Sequence, residues 1–239
     1  MKWLRRKPTI ITAASLILVL VAAIALWNVS SARTFQFFGD LVDRVETGEK
    51  VVALTFDDGP DPAGAQQVLD VLEAEDVPAT FFLMGRDLEK HPELGRRIAD
   101  AKHEIGNHTY NHQRMIGVLP STVAREVEDT DAQIRRTGYS GEIHFRPPNG
   151  KKLFALPHYL KQHGRTTVMW DVEPDSEGTP TAQEIAQQTL ARTKPGSIIL
   201  LHPMYAAREQ TRQALRPVIT GLKERGYRFL TVSALLATR

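Results

Sequence analysis

The 239-residue sequence has no cysteine at all. That absence rules out disulfide staples, a thiolate nucleophile and every Cys-based metal site, while leaving an oxidising compartment permitted but unused. Charge of one sign is also lacking. The formal net charge is only +2, and Lys2, Arg5, Arg6 and Lys7 at the extreme N-terminus supply four of the positive charges. The remainder is close to neutral or slightly acidic and offers no footprint for nucleic acid. No internal repeat and no low-complexity tract interrupts the chain, whose length and ordinary apolar fraction suffice for one sizeable core.

What is present begins with an almost uninterrupted apolar stretch, Ile10–Trp27, behind that basic tip. Its length matches a hydrocarbon core better than the shorter apolar region of a cleavable signal. The pattern predicts one transmembrane helix within residues 1–32 that keeps the N-terminus cytoplasmic and puts the rest outside, as a single-pass protein of the cell membrane. Ser30-Ser31-Ala32 also offers a small-residue cleavage site, in which case the product is secreted. Residues 33–49 carry Phe35, Phe38, Leu41, Val42 and Val45 at helical spacing and predict a juxtamembrane amphipathic helix.

From residue 50 to 239, short apolar strands alternate with amphipathic helical stretches, the signature of an α/β protein with a parallel sheet. Seven strand candidates emerge: Val51–Phe56, Thr80–Met84, Glu104–Gly106, Ile143–Arg146, Thr166–Val172, Ser197–Leu201 and Tyr227–Thr231. Between them, Ala65, Val68, Leu69 and Leu72 form one helical face, and Leu94, Ile98 and Ala101 a second. Val123, Val127, Thr130 and Ile134 form a third. Thr181 and Glu184 form a capping box. Thr211–Arg225 predicts a last helix closed by Gly226, with Pro217 inside it predicting a kink or a later start.

If these strands are parallel, their C-terminal ends share one face, where βα proteins build their sites. Asp57 and Asp58 follow the first strand, His108 and His112 the third, Arg146 ends the fourth, Glu173 and Asp175 follow the fifth, and His202 follows the sixth. Turn residues placed by chance scatter between both ends of a sheet. Two imidazoles four apart on a helical turn, joined by Asp58, make a two-His, one-carboxylate set with open coordination positions. Such a set suits a catalytic divalent metal, zinc first, and it also suits non-haem iron.

Four stretches now carry a resemblance: TFDDGP at Thr55–Pro60, His108-Thr109-Tyr110-Asn111-His112, Arg146-Pro147-Pro148-Asn149-Gly150, and Leu200-Leu201-His202. In order and spacing they resemble the motifs of the polysaccharide deacetylases, the NodB-homology domain of carbohydrate esterase family 4, over about Lys50 to Ala237. The resemblance implies a distorted (β/α) barrel of about seven parallel strands. It also implies metal-dependent hydrolysis of N-acetyl groups on an amino-sugar polymer such as peptidoglycan or chitin; no protein partner is inferred. Carried over by position, it makes Asp58, His108 and His112 the metal ligands and Asp57 the general base. Arg146 pairs with Asp57, the backbone near Asn149 serves the oxyanion, and His202 protonates the departing amine.

Two departures stand out. Asn149 occupies a position that is usually aromatic. In the fourth motif, Trp170-Asp171-Val172-Glu173-Pro174-Asp175-Ser176-Glu177, Glu173 takes the place of the acid that orients the catalytic histidine. The Asp-Trp pair that normally follows is replaced by Ser176-Glu177. The acetyl pocket thereby loses a wall, leaving Leu200 with Trp170 or Tyr205 to form it. A catalytically silent glycan-binding domain is the competing expectation. His91, His103, His144, His158 and His163 match no motif and read as surface or structural.

Overall fold

The computed structural model describes the backbone from Arg6 to Arg239 and the side chains from Ala14 onward. The first element is a helix, Arg6–Ser30. The start of the expected basic tip, and the side chains of residues 6–13, lie outside the described residues. Within the described part, Leu16–Val21, Ile24, Leu26 and Trp27 are exposed. Among the described residues no helix is long and apolar enough to cross a membrane.

Seven strands follow: β1 (Leu41–Val42), β2 (Val51–Asp57), β3 (Thr80–Leu83), β4 (Glu104–Asn107), β5 (Thr167–Val168), β6 (Ile198–Leu201) and β7 (Arg228–Leu230). Every ladder between them is parallel. β2 is the axis. One of its edges pairs with β7 at Val51–Ala53 and then with β3 at Thr55–Asp57, the other with β6 at Ala53–Phe56, and β4 adds to β3. All seven of its residues are buried, and Val51–Leu54 read as a continuous apolar run rather than an alternating one. Val52, Leu54 and Phe56 pack towards the helices, whereas Val51 and Ala53 join a second cluster with Phe82, Trp170 and Leu200.

The expected strand Ile143–Arg146 is reduced to single bridges from Phe145 to Asn107 and to Thr167, and the expected Thr166–Val172 to β5 plus one bridge, Val172 to Ile199. The cause is side-chain competition for the backbone. The Arg146 guanidinium donates to the carbonyls of Val168 and Met169, and an Asp171 carboxylate oxygen accepts from the Ile198 N–H. Those groups are lost to a regular ladder. Instead of an unbroken ring of strands, the described residues form a five-stranded parallel sheet and a two-stranded β1–β5 ladder linked by such bridges.

The helix expected over 33–49 is absent. Extended backbone there forms β1, Val42 and Val45 are buried, and the Val45 N–H donates to Gly196 O at 2.9 Å. Gly196 has φ +77°, and a Cβ on it would sit 1.8 Å from the Val45 carbonyl oxygen, so glycine is required for this approach.

The helices present the faces their spacing predicts, except that in Pro92–Asp100 Leu94 and Ile98 are buried while Ala101, just past the helix end, is exposed. Ala65, Val68, Leu69 and Leu72 are the buried residues of Ala65–Ala74. Val123, Val127, Thr130 and Ile134 are buried in Pro120–Arg136, and the Thr181–Glu184 capping box opens Ala182–Arg192. The last long helix, Glu209–Glu224, runs through Pro217. Both Pro217 and Gln213, whose carbonyl the proline cannot satisfy, are exposed, so water can take the missing bond.

Candidate active site

β2 delivers Asp57 as its last residue, and Asp58 leaves the strand with φ +76°. That left-handed turn sends two neighbouring carboxylates in different directions. Asp57 is 2 % exposed and its Oδ1 accepts from Arg146 Nη1 at 2.7 Å. Arg146 is itself fully buried, over the Phe82 ring at 4.0 Å, and its other donors go to Thr55 Oγ1 at 2.8 Å and the two carbonyls named above. Burial pushes the Asp57 carboxyl upward, but the Arg146 charge, with His108 and His202 behind it, outweighs this and holds it below the ordinary carboxylate range. Asp57 is therefore an ionised, buried carboxylate held in place by Arg146.

The two histidines are not on a helical turn as their spacing suggested. The stretch is a loop in which Thr109 (φ +66°) and His112 (φ +59°) are both left-handed. Glu126, buried on helix Pro120–Arg136, grips this loop by accepting from the Asn111 N–H and from Asn111 Nδ2, each at 2.8 Å. Glu126 carried no signal in the sequence beyond its place on a buried helical face. His108 Nδ1 lies 2.8 Å from Arg146 O and must donate to that carbonyl, so Nε2 is left bare towards the site. His108 Nε2 is 3.9 Å and His112 Nε2 3.4 Å from Asp58 Oδ1. One ligand atom from each of Asp58, His108 and His112 lies within 4.8 Å of the others. Burial, then the adjacent His108, keeps the His112 pKa low and its ring neutral. A carboxylate and two imidazoles, one of them with its Nε2 turned to the site by the bond to Arg146 O, suit a divalent cation, and these three residues could hold one.

His202 follows β6, and its partner corrects the expectation placed on Glu173. Asp175 Oδ1 accepts from His202 Nδ1 at 3.1 Å, while Asp175 Oδ2 accepts from the His202 N–H at 2.7 Å and from Thr211 Oγ1 at 3.1 Å. Burial lowers the His202 pKa, but the Asp175 hydrogen bond and charge, supported by Asp57 and Asp58, more than reverse that and raise it to about 9. Glu173 turns the other way. Its Oε2 accepts from Trp170 Nε1 at 2.6 Å and from Arg33 Nη2 at 2.8 Å. The bridge at Val172 fixes the register here, and the buried Pro174 and Asp175 follow on the other side of the strand end.

These groups surround one cavity of about 410 Å³. Asp57, Asp58, His108, His112 and His202 line one side, and Met169, Trp170 and Leu200 supply apolar surface. Asn149 and Gly150 form part of the rim, with Asn149 left-handed (φ +54°) and its Oδ1 accepting from Arg114 Nε. Tyr205 is absent from this lining: its hydroxyl donates to Asp87 Oδ2 at 2.7 Å instead. Ser31 and Arg33, from the segment leaving the first helix, do line the cavity, and sequence reasoning missed them.

The polysaccharide deacetylase family model matches residues 44–168, just over half of the chain. The chain belongs to the polysaccharide deacetylase family. A Bacillus cereus peptidoglycan-N-acetylglucosamine deacetylase is 36 % identical over 194 residues, covering 80 % of this chain and 91 % of that one. The crystal structure of the Bc1960 peptidoglycan N-acetylglucosamine deacetylase, bound to a hydroxamate-bearing benzamide, superposes with a TM-score of 0.78 at 34 % identity, covering 82 % of this chain and 92 % of that one. A carbohydrate esterase family 4 pseudoenzyme from Bacillus anthracis, BA3943, superposes with a TM-score of 0.74 at 28 % identity, covering 82 % and 69 %. This polysaccharide deacetylase chain therefore shares its fold both with a deacetylase and with a pseudoenzyme, and its own cavity must decide between them.

Proposed function

We propose that the protein is a metal-dependent hydrolase that removes N-acetyl groups from an amino-sugar polymer such as peptidoglycan or a chitin-like glycan. The observation that carries this reading is a pair of oppositely biased titratable groups in one cavity: Asp57 held anionic by Arg146, and His202 held cationic by Asp175. Two groups driven apart in this way are a base and an acid. A glycan-binding domain without turnover, as the pseudoenzyme neighbour suggests, has no use for either.

A divalent cation, zinc by the preference of its donors, would be held by Asp58, His108 and His112, where it would polarise the acetamido carbonyl and make water more acidic. Asp57 Oδ2, the oxygen not committed to Arg146, lies 3.6 Å from His108 Nε2 and so borders the ligand set, where it can take the proton of the attacking water. Arg146 holds that carboxylate in place and prevents its protonation. His202 Nε2, the nitrogen not bound to Asp175, gives its proton to the departing sugar amine. The backbone near Asn149 faces the developing oxyanion, and Leu200 with Trp170 walls the acetyl methyl.

We read helix Arg6–Ser30 as a membrane anchor that places this domain outside the cytoplasm. Its exposed apolar side chains from Leu16 to Trp27 support this, with the sequence from Ile10 onward needed to make up a span that the described residues alone do not reach.

The test is acetate release by the full chain from N-acetylglucosamine oligomers and peptidoglycan. We expect release that is abolished by chelation, restored by one divalent metal and lost in Asp57→Asn. Metal-loaded protein that binds these glycans and releases no acetate establishes the silent binding domain instead.

A further inference from the structure

The cavity is not built from the catalytic domain alone. Helix Arg6–Ser30 ends on the domain, and of the three residues that follow, Ser31 and Arg33 line the cavity. They are tied down by the two lysines that follow the Arg146–Gly150 motif. The Lys152 N–H donates to Ser30 O at 2.9 Å, and its ammonium, only 1 % exposed, donates to Ala32 O at 2.6 Å. Lys151 Nζ donates to Ser31 Oγ at 2.6 Å and sits 4.2 Å from the Trp27 ring centroid. Burying a lysine head group for the sake of one linker carbonyl is costly unless that carbonyl stays in place.

This anchorage delivers Arg33 to the cavity. Its guanidinium lies 4.9 Å from the Trp170 ring centroid and donates to Glu173 Oε2, the same oxygen that accepts the Trp170 indole N–H. One carboxylate oxygen thus pins an indole from its edge while the cation it pairs with covers the ring. Trp170, with Met169 and Leu200, is the apolar wall of the cavity.

We propose that Ser31–Arg33 is a structural wall of the active site, and that Arg33 is a specificity-determining positioning residue that fixes Trp170 through Glu173 and so sets the size of acyl group the cavity accepts. This rests on the deacetylase reading above. A clamped Trp170 leaves room for an acetyl methyl and resists a longer chain, and the discrimination available from one methylene in such a pocket is about 10-fold or more. With Arg33 removed, Glu173 is free to turn to solvent and the indole loses both its cover and its anchor.

The test uses the full chain with Arg33→Ala, Arg33→Lys and Lys151→Ala, assayed on N-acetyl and N-propionyl glucosamine oligomers. Arg33→Ala should lower the acetyl-to-propionyl ratio of kcat/KM by about tenfold and raise KM for the acetyl substrate, with kcat changed less. Arg33→Lys, which keeps a cation for Glu173 and Trp170, should restore most of the ratio, and Lys151→Ala should shift it in the same direction as Arg33→Ala. Independently of turnover, hydrogen exchange of the Trp170 indole N–H, followed by NMR of tryptophan-labelled protein, should accelerate at least tenfold in Arg33→Ala. An active wild type whose Arg33→Ala variant keeps its acyl ratio, or an indole whose exchange is unmoved, overturns the proposal. A wild type without acetate release fails the functional reading alone, and the indole exchange then decides this one.

Discussion

Asp175 governs the protonation of His202, and replacing it tests that assignment against the alternative partner, Glu173. Asp175 has no exposed side-chain surface and gives both its oxygens to His202, one to the ring and one to the backbone N–H. Against the downward pull of burial, Asp175 is the strongest of the groups, with Asp57 and Asp58, that take the imidazole from an ordinary 6.5 to about 9. At about 1.4 kcal/mol per pKa unit, this is a differential interaction on the order of 3 kcal/mol. With a pKa of about 9, roughly nine-tenths of the His202 rings carry a proton at pH 8. In Asp175→Asn burial is no longer opposed by that charge, so the pKa should fall to 6.5 or below and the protonated fraction at pH 8 to a few per cent, about thirtyfold less. The linkage has a definite sign. A raised folded-state pKa contributes stability that is complete below about pH 6.5 and disappears as pH rises through about 9, and Asp175→Asn should remove that slope. The assay is an NMR titration of the His202 ring in chelator-treated protein, run beside Glu173→Gln. The reasoning is refuted if His202 titrates unchanged in Asp175→Asn, or if Glu173→Gln shifts it instead.

Further outcomes follow from the same geometry. Asp57→Asn should lower kcat by about 10²- to 10⁴-fold while metal content, measured by mass spectrometry, stays at one per chain; activity above a tenth of wild type excludes Asp57 as the base. Asp58→Ala, His108→Ala and His112→Ala should each lose metal in calorimetric titration, because each removes one of the three clustered donors. Gly196→Ala should lower stability by more than about 1 kcal/mol from its positive φ alone, with the overlap on Val45 O adding to that, read as a drop in Tm. Lys152 is lowered by burial, and then by Lys151, to about 8. Because the charged form is the disfavoured one, stability should rise as pH passes from about 8 towards the unfolded value of 10.5, by up to about 3 kcal/mol, and Lys152→Met should flatten that rise in denaturant titrations.

The sequence exposed most of this where one residue's chemistry leaves few options. Asp57, Asp58, His108, His112, Arg146 and His202 all reach one cluster, because parallel strands end on a common face and polar residues at those ends have nowhere else to go. The helical faces were legible for the same reason, since a period of 3.6 has a single buried side. Residues 33–49 were not, because Leu41, Val42 and Val45 satisfy a helical spacing as well as an extended strand, and distant partners, Thr167–Met169 and Gly196, decide between them. The sequence leads one to expect Glu173 beside His202 and Asp175 is found there, because two acids separated by a proline differ only in which way the chain has turned. Tyr205 was drawn to the cavity by type, and its bond to Asp87 depends on a segment more than a hundred residues away.

The joint between the helix end and the cavity fixes a distance. Ser30 closes the helix and Ser31 already borders the chamber where the chemistry takes place, so no spacer exists to let the domain swing outward. If helix Arg6–Ser30 is the membrane anchor we propose, this joint would hold the chamber near the bilayer. On that proposal, the glycan within reach of the chamber would be what lies close to the lipid surface.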